Sequence, residues 1–127
     1  GPEPLTPAEV ALVAHDLSDW VASLDPSEFG VDECCPARKR RHCFARFELA
    51  RQLGRRAVFS RSLDRVACAI AHGNFDRAEC RLDHLLARAD GQPWPRDWLV
   101  PSVTRDELAV ALDELLAMVD ALRGSAP

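Results

Sequence analysis

Apolar residues recur at three- and four-residue spacing through most of this chain of 127 residues. The first such stripe comprises Val10, Val13, Leu17, Trp20, Val21 and Leu24, and the last comprises Leu108, Ala111, Leu112, Leu115, Met118, Val119 and Leu122. This spacing puts apolar side chains on one face of a helix. Since no segment alternates apolar and polar residues as strands do, the sequence predicts an all-α fold, a compact bundle of about five helices.

Capping and breaking residues set the expected helix limits. Thr6 and Glu9 form a capping box with Pro7 at the first helical position, and Asp25-Pro26 ends that helix. A second capping box, Thr104 with Glu107, opens the last helix. The five predicted helices cover about residues 7–24, 36–56, from 60 or 62 to 71, 75–89 and 104–123. A Pro- and Trp-rich strap, residues 91–103, is expected to pack on the bundle.

The third and fourth predicted helices form a central hairpin. Gly73, Phe75 and Ala78 have the Gly-x-aromatic-x-x-Ala spacing of the turn and second helix of a tetratricopeptide repeat, and Leu82 follows at the next large apolar position. Residues 59–90 therefore resemble one such repeat, although the family's Trp and Leu-Gly positions are absent. Because an array needs about three repeats to be stable, the resemblance implies a single repeat-like hairpin.

Composition bounds the class of protein. An apolar fraction of 47% excludes a disordered chain, and no apolar run is long enough to span a membrane, so no membrane partner is expected. Five cysteines with no secretory signal favour free thiols and an intracellular location, in the cytoplasm or the nucleus. Gly1-Pro2 is typical of the two amino acids left after an expression tag is cleaved. Residues 3–127 are expected to form a single helical domain.

No catalytic motif is recognisable, so neither an enzyme nor a cofactor is expected. Cysteine and histidine fall in three groups: Cys34, Cys35, His42 and Cys43; Cys68 and His72; and Cys80 and His84. The first group lacks the ligand spacing of a zinc knuckle, whereas each later pair has the i, i+4 spacing that could supply two ligands. Buried, unreactive cysteine is the more frequent outcome, and no metal site is predicted.

Charge is strongly segregated along the chain. Residues 1–37 hold eight acids and no Lys or Arg, residues 38–65 hold ten Lys or Arg against two acids, and residues 66–127 hold ten acids against six Arg. Three functional interpretations of the basic segment remain open: nuclear import, nucleic-acid binding, and pairing with acidic groups of this chain or of a partner. A further interpretation assigns the segment no binding role and regards it as a helix face exposed to solvent. The import-like cluster is Arg38, Lys39, Arg40 and Arg41.

These observations favour a noncatalytic protein–protein interaction domain of a regulatory or scaffold protein. Its partner is expected to be a peptide or helix with acidic and apolar residues, held in a groove edged by the Arg-rich second helix. The predicted partner-binding residues are Arg46, Phe47, Arg51, Arg55, Arg61, Trp94 and Trp98. A nucleic-acid-binding domain that uses residues 38–65 is the alternative, and a homodimer is a further possibility.

Overall fold

The structure, a computed structural model, describes residues 4–30, 45–91 and 97–125, and within the second helix it describes side chains from Glu48 onward. These residues form an all-α bundle without strands, as predicted. The helices are α1 (Pro7–Ser23), α2 (Ala45–Ala71), α3 (Phe75–Ala87) and α4 (Val103–Ser125), with a short 3₁₀ turn at Pro26–Glu28. None of the described helices combines the length and the apolar character that crossing a membrane requires.

The prediction of about five helices is wrong, because the described residues contain four. The expected second and third helices are a single helix, α2, which continues without a break through residues 57–61. Gly54 is exposed with open space around it, so it weakens the helix by about 1 kcal/mol without ending it. Ser60 caps nothing; its hydroxyl lies 2.8 Å from that of Ser18 on α1.

Helix α1 runs antiparallel to α2. The Thr6 hydroxyl accepts a hydrogen bond from the Glu9 backbone N–H at 3.2 Å, which confirms the predicted cap. Near the other end of α1, Arg56 of α2 donates a hydrogen bond to the Leu24 carbonyl at 2.7 Å. Residues 45–54 therefore extend past the end of α1, and the described side chains there are exposed except that of Gln52, which is half-buried.

The α2–α3 hairpin turns where the sequence predicts. Gly73 has a φ of +76°, a conformation that favours glycine, and the Asn74 side chain caps α3 by accepting from the Arg77 backbone N–H at 3.4 Å. The Asn74 N–H also bonds to the Ala69 carbonyl at 2.8 Å. This tight connection sets α3 antiparallel to α2, so that side chains near the end of α2 lie beside those near the start of α3.

Helix α4 begins slightly before its predicted start. Ser102, and not Thr104, caps it by accepting from the Arg105 backbone N–H at 3.1 Å. The Thr104 hydroxyl instead donates to the Glu28 carboxylate at 3.4 Å, and the Val100 N–H donates to the Glu28 carbonyl at 2.9 Å. These bonds tie the segment after α1 to the segment before α4. The largest fully buried side chains are Phe29, Phe59, Leu63, Ile70, Leu82, Leu108, Leu112 and Leu115.

Candidate functional site

A positively charged cavity of about 320 Å³ lies where α2 ends and α3 begins. It is lined by Arg65, Cys68, Ala69, His72, Asn74, Arg77 and Arg81. Within the described ranges, no carboxylate forms an ion pair with any of these three arginines. Three guanidinium groups without an ion-pair partner among the described residues give the cavity a positive potential, which attracts anionic groups.

Helical spacing continues the row of basic residues beyond this cavity along the α2–α3 hairpin. Arg55, Val58, Ser62 and Arg65 share one face of α2, and Arg77 and Arg81 share one face of α3, with Arg88 at its C-cap. We call this surface the basic groove. From Arg55 to Arg65 it spans about 15 Å at 1.5 Å per residue. Val58 is 42% exposed within this row, so an apolar side chain is accessible beside the arginines.

The far end of the basic groove is closed by a tryptophan between two arginines. The guanidinium carbons of Arg55 and Arg88 lie 5.7 and 5.2 Å from the Trp98 ring centroid. The Trp98 backbone N–H also donates to the Arg88 carbonyl at 2.8 Å. Cation–π attraction and this bond fix the indole ring half-buried against the bundle. Two predicted partner-binding residues, Arg55 and Trp98, are thus brought together.

Two arginines at the Trp98 end of the groove also bind the chain itself. A guanidinium nitrogen of Arg55 donates to the Gly30 carbonyl, as Arg56 does to that of Leu24. Both bonds fasten the segment after α1 to α2. Part of the basic segment is therefore paired within the molecule through backbone carbonyls of the segment after α1.

The other predicted site residues are distributed as follows. Arg51 and Arg61 are exposed on α2, and Arg51 lies between two exposed leucines, Leu49 and Leu53. The side chains of Arg46 and Phe47, the whole of Trp94 and the import-like cluster Arg38, Lys39, Arg40 and Arg41 lie outside the described residues.

Sequence reasoning missed the contribution of α3 to the site. Arg77, Arg81 and Arg88 lie in residues 66–127, whose net charge is negative. The net charge of that segment therefore gave no indication of a local basic surface. The arginines' spacing of four and seven residues, beside an apolar stripe on the same helix, was the available signal. It indicates a basic flank along α3.

The opposite flank of α3 carries a second cavity with the reverse charge. This cavity, of about 330 Å³, is lined by Asp76, Glu79, Cys80, Asp83, His84 and Arg123. Its one arginine is already paired, with Asp76 at 2.9 Å, with Glu79 and with Asp120 at 3.7 Å. Over the described ranges, no three His, Cys, Asp or Glu side chains are grouped as metal ligands.

A nearly buried ion pair joins Asp97, which precedes α4, to Arg105 in the first turn of α4. Asp97 accepts from the Gly91 backbone N–H at 2.8 Å and from an Arg105 guanidinium nitrogen at 3.2 Å. The side chains of Asp97 and Arg105 are 11% and 19% exposed. Burial raises the pKa of Asp97 above its ordinary value, while the Gly91 bond and the Arg105 charge act in the opposite direction.

Comparison with known protein families, with curated proteins and with solved structures finds no match for this chain. The resemblance of residues 59–90 to a tetratricopeptide repeat stays a prediction. The basic groove, the paired Trp98 and the acidic cavity behind α3 are accordingly the features from which function is inferred.

Proposed function

We propose that this chain is a noncatalytic helical protein-interaction domain of an intracellular regulatory or scaffold protein. Its basic groove binds an acidic segment of a partner protein that also carries apolar side chains. One observation carries the proposal: the side chains of Arg65, Arg77 and Arg81 line an open cavity, and no described carboxylate pairs with them.

Carboxylates suit this cavity for geometric reasons. Each guanidinium offers a planar fork of N–H donors that matches both oxygens of a carboxylate. Three such groups converge from two helices, so a segment with several acids gains more than one contact at once. A groove of about 15 Å accommodates roughly three turns of helix or about five extended residues. The ligand is therefore a short segment.

Apolar contacts are available along the same groove. Val58 is 42% exposed within it, and the Trp98 ring forms its far end. Tryptophan and arginine are the residue types most enriched at binding hot spots. Arg51 and Arg61, exposed on α2, add positive potential that steers an acidic ligand toward the groove. This arrangement supports a partner in which acidic and apolar residues are interspersed.

A charge-matched pair of variants tests the proposal. The probe is a fluorescent peptide of repeated Glu-Leu-Glu-Glu-Leu, and its binding is measured by anisotropy. In Arg77→Gln/Arg81→Gln we expect the Kd to rise by at least about tenfold, because two charge-assisted contacts are lost. Val110→Glu/Ala117→Glu lowers the net charge equally on the exposed face of α4 and is expected to leave the Kd within about twofold.

Two outcomes would contradict the proposal. Equal weakening by both double variants would mean that net charge, and not the groove, governs binding. Tighter binding of a single-stranded oligonucleotide than of the peptide, with a steep loss as salt rises, would favour the nucleic-acid alternative instead.

A further inference from the structure

The basic groove contains a nucleophile that peptide binding does not use. Cys68 is exposed, and it lines the same cavity as Arg65, Arg77 and Arg81. Its Sγ lies 3.6 Å from Nδ1 of His72, one helical turn later. A thiol therefore lies beside an imidazole in a cavity that three arginines also line, surroundings that attract anionic reagents to the sulfur.

The tautomer of His72 follows from a second contact. Its Nδ1 lies 2.8 Å from the Cys68 backbone carbonyl, which can only accept a hydrogen bond. The proton is consequently on Nδ1, which also lies near Sγ. This nitrogen therefore does not accept the thiol proton when the thiol reacts, and that proton leaves to solvent.

Cys80 is an internal counterpart with the opposite surroundings. It too is exposed and has a histidine four residues later, but it lines the cavity with Asp76, Glu79 and Asp83. Two thiols with the same local spacing thus lie on opposite flanks of α3, one in a positive field and one in a negative field. This contrast allows field effects to be separated from exposure.

We propose that Cys68 is a modification site that forms mixed disulfides with small anionic disulfides, of which glutathione disulfide is the representative. The Cys68 thiol first releases its proton to water. The thiolate then attacks one sulfur of the disulfide, so that a bond forms from Sγ to that sulfur and the original S–S bond breaks. The second sulfur leaves as a thiolate with the electron pair, and the incoming disulfide is the oxidant.

The groove favours this reaction at each stage. Arg65, Arg77 and Arg81 attract the carboxylates of the reagent, and the leaving thiolate departs from a positively charged surface. The bound half keeps its carboxylates beside the same guanidinium groups, which stabilises the adduct. None of these steps requires a partner protein, so the reactivity of Cys68 stands apart from the proposed peptide binding.

Site-resolved labelling of the full chain tests the proposal. Limiting amounts of anionic dithiobis(nitrobenzoate) or cationic cystamine are added, and labelling of each cysteine is read by peptide mass. At low ionic strength we expect the Cys68-to-Cys80 rate ratio to be about tenfold higher for the anionic reagent than for the cationic one. High salt is expected to bring the two ratios together. Equal ratios at low salt overturn the proposal.

Matched variants place the effect in the groove. Arg77→Gln/Arg81→Gln is expected to slow anionic labelling of Cys68 about fivefold without slowing cystamine. Val110→Glu/Ala117→Glu carries the same net charge, and we expect it to leave that rate within twofold. Circular dichroism serves as the check on folding in each variant. With glutathione disulfide, an adduct that forms on Cys80 before Cys68 would also overturn the proposal.

Discussion

Phe29→Ala is expected to lower the free energy of unfolding by about 3–5 kcal/mol, a loss typical of a fully buried aromatic side chain. Phe29 has no exposed surface, and its ring lies 6.2 Å from that of Phe59 in an edge-to-face arrangement. Chemical denaturation followed by circular dichroism measures the change. The effect is large because the substitution leaves a cavity between α2 and the segment after α1, where the side chains of Phe29 and Phe59 are both fully buried.

Leu12→Ala is the matched control for this substitution. Leu12 is also a large apolar residue, but it is 62% exposed, so we expect a change within about 0.5 kcal/mol. An equal loss in the two variants would contradict the packing described for Phe29. The residues on either side of Phe29 are held through their backbone carbonyls: Arg55 donates to that of Gly30 and Val100 to that of Glu28. Phe29 adds the apolar contact that anchors this segment.

Arg105→Met is expected to lower stability by about 3 kcal/mol at neutral pH, because it leaves a nearly buried carboxylate without its cation. Asp97 would keep only the Gly91 N–H bond on one oxygen, and its other oxygen already has no hydrogen-bond partner. Urea denaturation measures the loss. Asp106→Asn is the control: Asp106 is 75% exposed and lies 3.7 Å from Arg105, so a change within about 0.5 kcal/mol is expected.

The pH dependence of Arg105→Met follows from the pKa of Asp97. Burial raises that pKa above 3.8 in the folded protein, so ionisation of Asp97 costs stability as pH rises through the folded value. Loss of Arg105 raises the pKa further and increases that cost. The difference between wild type and variant is therefore largest at neutral pH and shrinks toward about pH 4. Adding Asp97→Asn should restore most of the stability, and failure to do so would contradict the assignment.

The helical class and most helix ends were predictable because they depend on local chemistry. Thr6 and Asn74 cap helices through their own side chains, and Gly73 provides the turn. The continuity of α2 was not predictable, because Ser60 is a good capping residue whose hydroxyl is instead engaged by Ser18, 42 residues earlier. Ser102 capped α4 in place of Thr104 for a similar reason, since Thr104 bonds to the distant Glu28.

The positions of the candidate site residues were only partly predictable. Arg55 and Trp98 were predicted to bind a partner from charge and residue type; the structure places them together, and their role in binding stays a prediction. The spacing of Arg77 and Arg81 indicates a basic flank on α3, but their place in the groove could not be predicted, because they reach it only through antiparallel packing on α2. The net charge of the segment also does not show that α3 has a basic flank and an acidic flank. The two flanks are distinguished only when each residue is assigned to a face of the helix.

The overhang of α2 has a consequence for hydrogen exchange. The helix is 27 residues long, but residues 45–54 extend past the end of α1, and their described side chains are largely exposed. Isolated helices of that length are marginal in water, so their hydrogen bonds open locally. Amides of residues 49–53 should exchange far faster than those of residues 63–70 on the same helix. A ligand that contacts Arg51 would slow exchange in the first group alone, and the amide protection pattern would then locate that ligand.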